Sequence, residues 1–154
     1  THIDTNQISI HIETILMRLG IFIAVSSPLK THCIENNMNF DGIINELLRT
    51  DGAMAAAVVD YSSGMLLAGA GTSSMDLEIA AAGNTEVVRA TMKTMKLLDL
   101  KDSIDDILIT LGEHYHLIRP IAKMDGLFLY FVLAKDKSNL ALARRALLEA
   151  EKNI

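Results

Sequence analysis

The stretch from Asp76 to Leu100 constrains this chain most, because it is the longest segment that supports a single helical period. Ser73, Ser74 or Asp76 can cap its start, with Ser73 and Asp76 spaced as in a capping box. Lys93 and Lys96 lie near its C-terminal end, where the helix dipole favours positive charge. On a helical wheel Leu77, Ala81, Asn84, Val88, Thr91, Met92, Met95 and Leu98 form one stripe, the side expected to face a sheet. Glu78, Glu86, Arg89, Lys93 and Lys96 gather on a charged side. On the far flank between them runs a second stripe of Ile79, Gly83, Val87, Ala90, Thr94 and Leu97, so the weakly polar arc is wider than one sheet requires. As a single helix the stretch would be roughly 37 Å long, beyond the roughly 30 Å width of a small domain. Width and length together predict a second packing partner for this helix.

The chain has 154 residues, half of them hydrophobic, which suits one domain with a sizeable core and leaves little room for two. Its net charge of −5 argues against general binding to a phosphate backbone, which needs clustered Lys and Arg, so nucleic acid is not an expected partner. The lone cysteine, Cys33, can form neither an internal disulfide nor a multi-cysteine metal cage, which points to a reducing compartment and a cytoplasmic location. The apolar run Ile15 to Val25 carries Arg18 and Gly20 and falls well short of the roughly 20 residues a membrane span needs. No membrane insertion is expected.

Thr1 to Asn37 keeps no single period: Ile8, Ile10 and Ile12 alternate, and a β-rich run from Ile21 to Val25 follows. It reads as an N-terminal extension of unknown role, with the domain occupying residues 38–154. Phe40, Ile43, Ile44, Leu47 and Leu48 then repeat at helical spacing, predicting a helix over Asp41 to Arg49 capped by Asn39 or Asp41. Ala53 to Asp60 and Met65 to Gly69 read as a hairpin joined by Tyr61-Ser62-Ser63-Gly64, with alanines that let a helix lie close on the sheet. Beyond the long helix, Ile107 to Leu111 and Tyr115 to Ala122 are expected strands, and Asp125-Gly126 signals a hairpin into the unbroken apolar run Leu127 to Ala134. That run is expected at the centre of the sheet. Asp136 or Ser138 begins a last helix, whose buried stripe would be Leu140, Ala143, Leu147 and Leu148.

Candidate chemistry is sparse. His114 and His116, beside Glu113, are the only local metal-ligand candidates, but they lack a third ligand, and a turn at Gly112 to His114 would spoil their shared face. The plainer reading is a turn histidine and an edge histidine. His32 next to Cys33 has no evident orienting acid. Gly69-Ala-Gly71 precedes a helix without any phosphate-binding fingerprint and is expected to reverse the chain. No catalytic residue, metal or cofactor is expected.

The stretch Asp51-Gly-Ala-Met-Ala-Ala-Ala-Val-Val-Asp-Tyr-Ser-Ser-Gly resembles the first hairpin of the roadblock / dynein-light-chain family. His116-Leu-Ile-Arg-Pro-Ile-Ala is similar to that family's fourth strand, and Asn139-Leu-Ala-Leu-Ala-Arg-Arg-Ala-Leu-Leu to its closing helix, in matching order. The resemblance implies an α+β fold: a five-stranded antiparallel sheet with one long helix on one face and two shorter helices on the other. It also implies dimers joined through the third strand and the long helix, and non-enzymatic scaffolds or regulators of Ras-like small GTPases. Pro120 falls in a strand the family makes internal, so a bulge is expected there.

Together these features predict a homodimer whose interface uses Ile79, Gly83, Val87, Ala90 and Thr94 of the long helix with Ile107 and Ile109 of the third strand. Glu86, Arg89 and Lys93 form a candidate surface for the GTPase. A small-molecule sensor or a motor adaptor of the same fold is the alternative; an enzyme built on the histidine pair would lose activity on His114→Ala and His116→Ala.

Overall fold

The alternation of apolar residues resolves into a sheet covered on both sides. The structure, a computed structural model, describes residues 39–72 and 74–154; expectations placed on residues 1–38 and on Ser73 lie outside the described residues. The elements are α1 (Phe40–Leu47), β1 (Ala53–Asp60), β2 (Met65–Gly71), α2 (Leu77–Leu97), β3 (Ile107–Thr110), β4 (His114–Pro120), β5 (Leu127–Ala134) and α3 (Leu140–Lys152). The strands pair antiparallel in the order β2-β1-β5-β4-β3, which puts the apolar run of β5 in the middle and leaves β2 and β3 as edges. Phe128 to Leu133 are all buried, as a strand covered on both faces must be.

One face of the sheet packs Ala56, Val58, Leu117, Leu129, Phe131 and Leu133 against Ile43, Ile44 and Leu47 of α1 and Ala143, Leu147 and Ala150 of α3. The other packs Ala55, Ala57, Val59, Ile118, Phe128, Tyr130 and Val132 against Ala81 and Val88 of α2. The fold is therefore α+β with one long helix on one face and two short helices on the other. Alanine at positions 55 and 57 lets α2 settle close to the strands.

Several boundaries differ from the sequence reading, for local reasons. The long helix spans Leu77–Leu97, 21 residues or about 31 Å, where the periodicity predicted Asp76 to Leu100. Asp76 is its cap: Oδ1 accepts from the backbone N–H groups of Glu78 and Ile79, each at 3.0 Å. At the far end Leu100 N–H donates to Met95 O (3.0 Å) and Asp99 N–H to Lys96 O (3.2 Å), with Asp99 at φ 52°. This paired capping arrangement normally uses glycine, which is why the sequence did not announce it. Leu98, assigned to the sheet-facing stripe, is accordingly 64% exposed.

Gly69 to Gly71 continue β2 instead of reversing the chain; a Cβ on Gly71 would lie 2.5 Å from that of Ala55. His114 is in β4, not in a turn. Pro120 ends β4 opposite Phe128 with no register shift, so its missing N–H is accommodated by strand termination and not by a bulge. The first helix begins at Phe40, behind Asn39 as cap, and stops at Leu47. The last begins at Leu140, with Asn139 Oδ1 accepting from Ala141 and Leu142 N–H. Its buried stripe runs Ala143, Leu147, Ala150 and Glu151, while Leu148 is exposed. Glu151 turns inward to Arg119 of β4 and to the backbone N–H of Ala122.

Candidate protein-interaction surface

The outer flank of α2 is uncovered among the described residues. Ile79 is 72% and Leu97 77% exposed, Gly83, Ala90 and Thr94 are exposed, and Val87 is half-buried. A Cβ built at Gly83 meets no atom within 4 Å, so nothing in the described fold requires a glycine there. Mid-helix glycine costs about 1 kcal/mol relative to alanine, with no return inside this domain.

Helix α2 packs chiefly on β2 and β1 and so sits off-centre on its face. Toward the other edge that face is formed by His114 and His116 of β4 and by Ile107 and Ile109 of β3, which are half-buried and border the α2 core. Among the described residues strand β3 pairs with β4 alone, which leaves its outer edge with unpaired backbone donors and acceptors there. Among the described residues the predicted interface positions of α2 are exposed or half-buried, and Ile107 and Ile109 of β3 are half-buried on the same face of the sheet.

The candidate partner surface divides. Arg89 donates through Nε–H to Tyr61 O (2.9 Å), through Nη2 to Ser62 O, and pairs with Glu86 at 2.8 Å. It ties α2 to the β1–β2 turn, so its charge is already engaged. Asp60 steadies the same turn by accepting from Ser62 and Ser63, and those hydroxyls hold its carboxyl below the usual range. Lys93 is exposed and makes no ion pair among the described residues.

The two histidines do share a face, with ring centroids 6.2 Å apart. His116 Nδ1 lies 2.6 Å from Tyr130 Oη, while its Nε2 is buried with no hydrogen-bond partner among the described residues. Burial, then the neighbouring His114, push the His116 pKa down; burial pushes Tyr130 up. Among the described residues no group of three or more potential ligands surrounds them, so a metal has no cage there.

The connector to β3 is held by two pairs that sequence spacing could not reveal. Arg119 Nε–H donates to Glu151 Oε2 at 2.6 Å and Nη1 to Asp105 O at 3.0 Å, while Glu151 Oε1 accepts from Ala122 N–H. Arg144 binds Asp106 through Nε–H and Nη2, both at 2.9 Å. Beside this connector a cleft of about 550 Å³, floored by Met92, Met95 and Ile121, carries Asp99, Asp102 and Asp125 on its rim. A second groove of about 770 Å³ runs between α1 and α3, lined by Ile43, Leu47, Leu142 and Ala146.

No family model matches the sequence, and no curated protein matches it in sequence. Structural similarity is plain. MglB of Myxococcus xanthus superposes with a TM-score of 0.66 at 18% identity, over 77% of this chain and 92% of that one. A Roadblock/LC7 domain from Streptomyces avermitilis gives 0.65 at 11% identity, over 73% and 91%. The fold is that of a roadblock domain. Gliding protein MglB from Thermus thermophilus is also similar, with a TM-score of 0.62 at 18% identity over 73% of this chain and 83% of that one. No helix among the described residues is long and apolar enough to cross a membrane.

Proposed function

We propose that this chain is a non-enzymatic, cytoplasmic regulator or scaffold of a Ras-like small GTPase, acting as a homodimer whose roadblock domain occupies residues 38–154. The observation that carries the reading is the α2 flank, a glycine with open space around it between exposed Ile79 and Leu97, together with a β3 edge that is unpaired among the described residues. A second copy packed there would cover both helix flanks and join two sheets edge to edge. Pairing would place two copies of Lys93 and Glu86 around one composite surface, available to a GTPase. The family resemblance supports that class of partner, and the likeness to gliding protein MglB is consistent with a regulatory role.

The test is to mix the purified protein with Ras-like GTPases from the same source, each loaded with GDP or a GTP analogue, and to measure binding and hydrolysis. Nucleotide-dependent binding that weakens tenfold or more on Lys93→Glu is expected. Nucleotide turnover by the protein alone, abolished by a point mutation within it, would contradict the reading.

A further inference from the structure

We propose that the cleft between the C-terminal end of α2 and the connector to β3 docks a basic peptide segment of a partner protein, which sets apolar side chains on the cleft floor and lysines or arginines on its rim. This goes beyond the GTPase reading and does not depend on the chain pairing with itself. The cleft has a volume of about 550 Å³, and Met92, Met95, Ile121 and Leu127 give it an apolar floor. Both methionines are half-buried, and Leu100 at the margin is 52% exposed. Methionine suits a floor that receives another chain's side chains, because its unbranched, polarizable side chain adapts to what it meets.

The rim has the opposite character. Asp99, Asp102 and Asp105 of the connector stand there with Asp125, all exposed, and Lys96 is an exposed cation among them. The other cation, Arg119, is held by Glu151 and by the Asp105 carbonyl, while Glu151 commits its second oxygen to the Ala122 N–H. Asp125 accepts from Tyr61 Oη at 2.6 Å, a neutral donor. Among the described residues Asp99, Asp102 and Asp105 form no ion pair. Asp99 follows the last turn of α2 at φ 52°, where the helix dipole opposes negative charge and neutral glycine or asparagine would serve the backbone better. Carboxylates gathered round one cleft also repel one another, and no cation among the described residues offsets them beyond Lys96.

This layout discriminates between occupants. A metal ion needs ligands converging on one point, and among the described residues no group of three or more potential ligands does so. An anionic surface, whether nucleic acid or lipid headgroup, is repelled by the rim. A second copy of this chain, with a net charge of −5, is poorly matched to it. A peptide whose apolar residues are flanked by lysine or arginine satisfies floor and rim together, covering the apolar floor from water while its cations meet the carboxylates.

The experiment uses the full chain and a fluorescein-labelled synthetic peptide, Lys-Leu-Lys-Lys-Leu-Leu-Lys, read by fluorescence anisotropy, with circular dichroism to establish that each variant keeps the parent fold. The parent is expected to bind, and the combined variant Asp99→Asn, Asp102→Asn, Asp105→Asn to bind about tenfold or more weakly. Asparagine tolerates the left-handed backbone at 99 and keeps the Oδ1 that accepts from Ser103 N–H, so charge is removed and not structure. Lys96→Gln moves the other way and is expected to strengthen binding about threefold. No binding to the parent, or unchanged or weaker binding to Lys96→Gln, overturns the inference. A peptide with serine in place of leucine that binds as well as the original overturns it too, since only long-range attraction to an acidic chain is then at work. So does an equal loss in a control variant carrying Asp41→Asn, Asp51→Asn and Glu78→Gln, which removes the same charge from exposed positions outside the cleft. A combined cleft variant that sediments differently from the parent shows a contact between copies of this chain and overturns the peptide as occupant.

Discussion

The two faces of the sheet are closed to different degrees. On the face carrying α1 and α3, large side chains interdigitate and the ion pair of Arg119 with Glu151, 15% and 11% exposed, fastens α3 to the end of β4. On the other face, among the described residues, a single helix lies off-centre on an alanine floor and its outer flank is uncovered, and the same face carries two half-buried histidines. One face is built to hold the domain together. The other buries only the α2 stripe that its strands require, and keeps in reserve an apolar surface that a lone domain has no reason to maintain.

The sharpest way to break this contrast is to put the same charge on each face. Ala143 is fully buried between α3 and the sheet, and Ala143→Arg should abolish the cooperative urea transition because the guanidinium has neither room nor partner there. Ala90→Arg, on the open flank, should leave a folded chain whose helical circular dichroism matches the parent but which sediments as a monomer where the parent is dimeric. Equal tolerance at the two positions would erase the distinction.

A smaller effect is expected at the fastening itself. Glu151→Ala should cost about 3–5 kcal/mol in urea unfolding, because Arg119 is left buried without its counter-ion. Burial pushes the Glu151 carboxyl up, but the Ala122 N–H and then Arg119 outweigh it and hold the pKa below the ordinary 4.5. Its contribution is therefore complete above about pH 4.5 and is lost as the pH falls through the lowered value; the variant should show a flatter stability profile in that acid range.

The least effect is expected from trimming. A chain beginning at Met38 should keep the thermal midpoint of the full chain within a few degrees, as followed by calorimetry. Loss of folding would mean that residues 1–37 complete the core and would remove the boundary proposed at Met38.

Much of the architecture was legible because it is written in local periods. The alternating and unbroken apolar runs located all five strands, the period of α2 separated its sheet side from its flank, and Asp125-Gly126 marked the last hairpin. The exposed flank of α2 was legible for the same reason: Gly83 and Ala90 sit seven residues apart, and both are exposed. What escaped was decided by single conformations. Asp99 supplies a left-handed cap that composition assigns to glycine, and Pro120 ends a strand where a bulge was expected.

The order and type of the elements and the two faces of the long helix were set by the sequence, since each depends on residues within a turn or two of one another. Tertiary structure alone decided that Arg89 is spent on the carbonyls of Tyr61 and Ser62, that His116 meets Tyr130, and that Glu151 turns inward to Arg119. Those partners lie 14 to 32 residues apart, so no local period relates them. They meet because antiparallel pairing and the placement of α2 and α3 across the sheet bring distant parts of the chain within hydrogen-bonding distance.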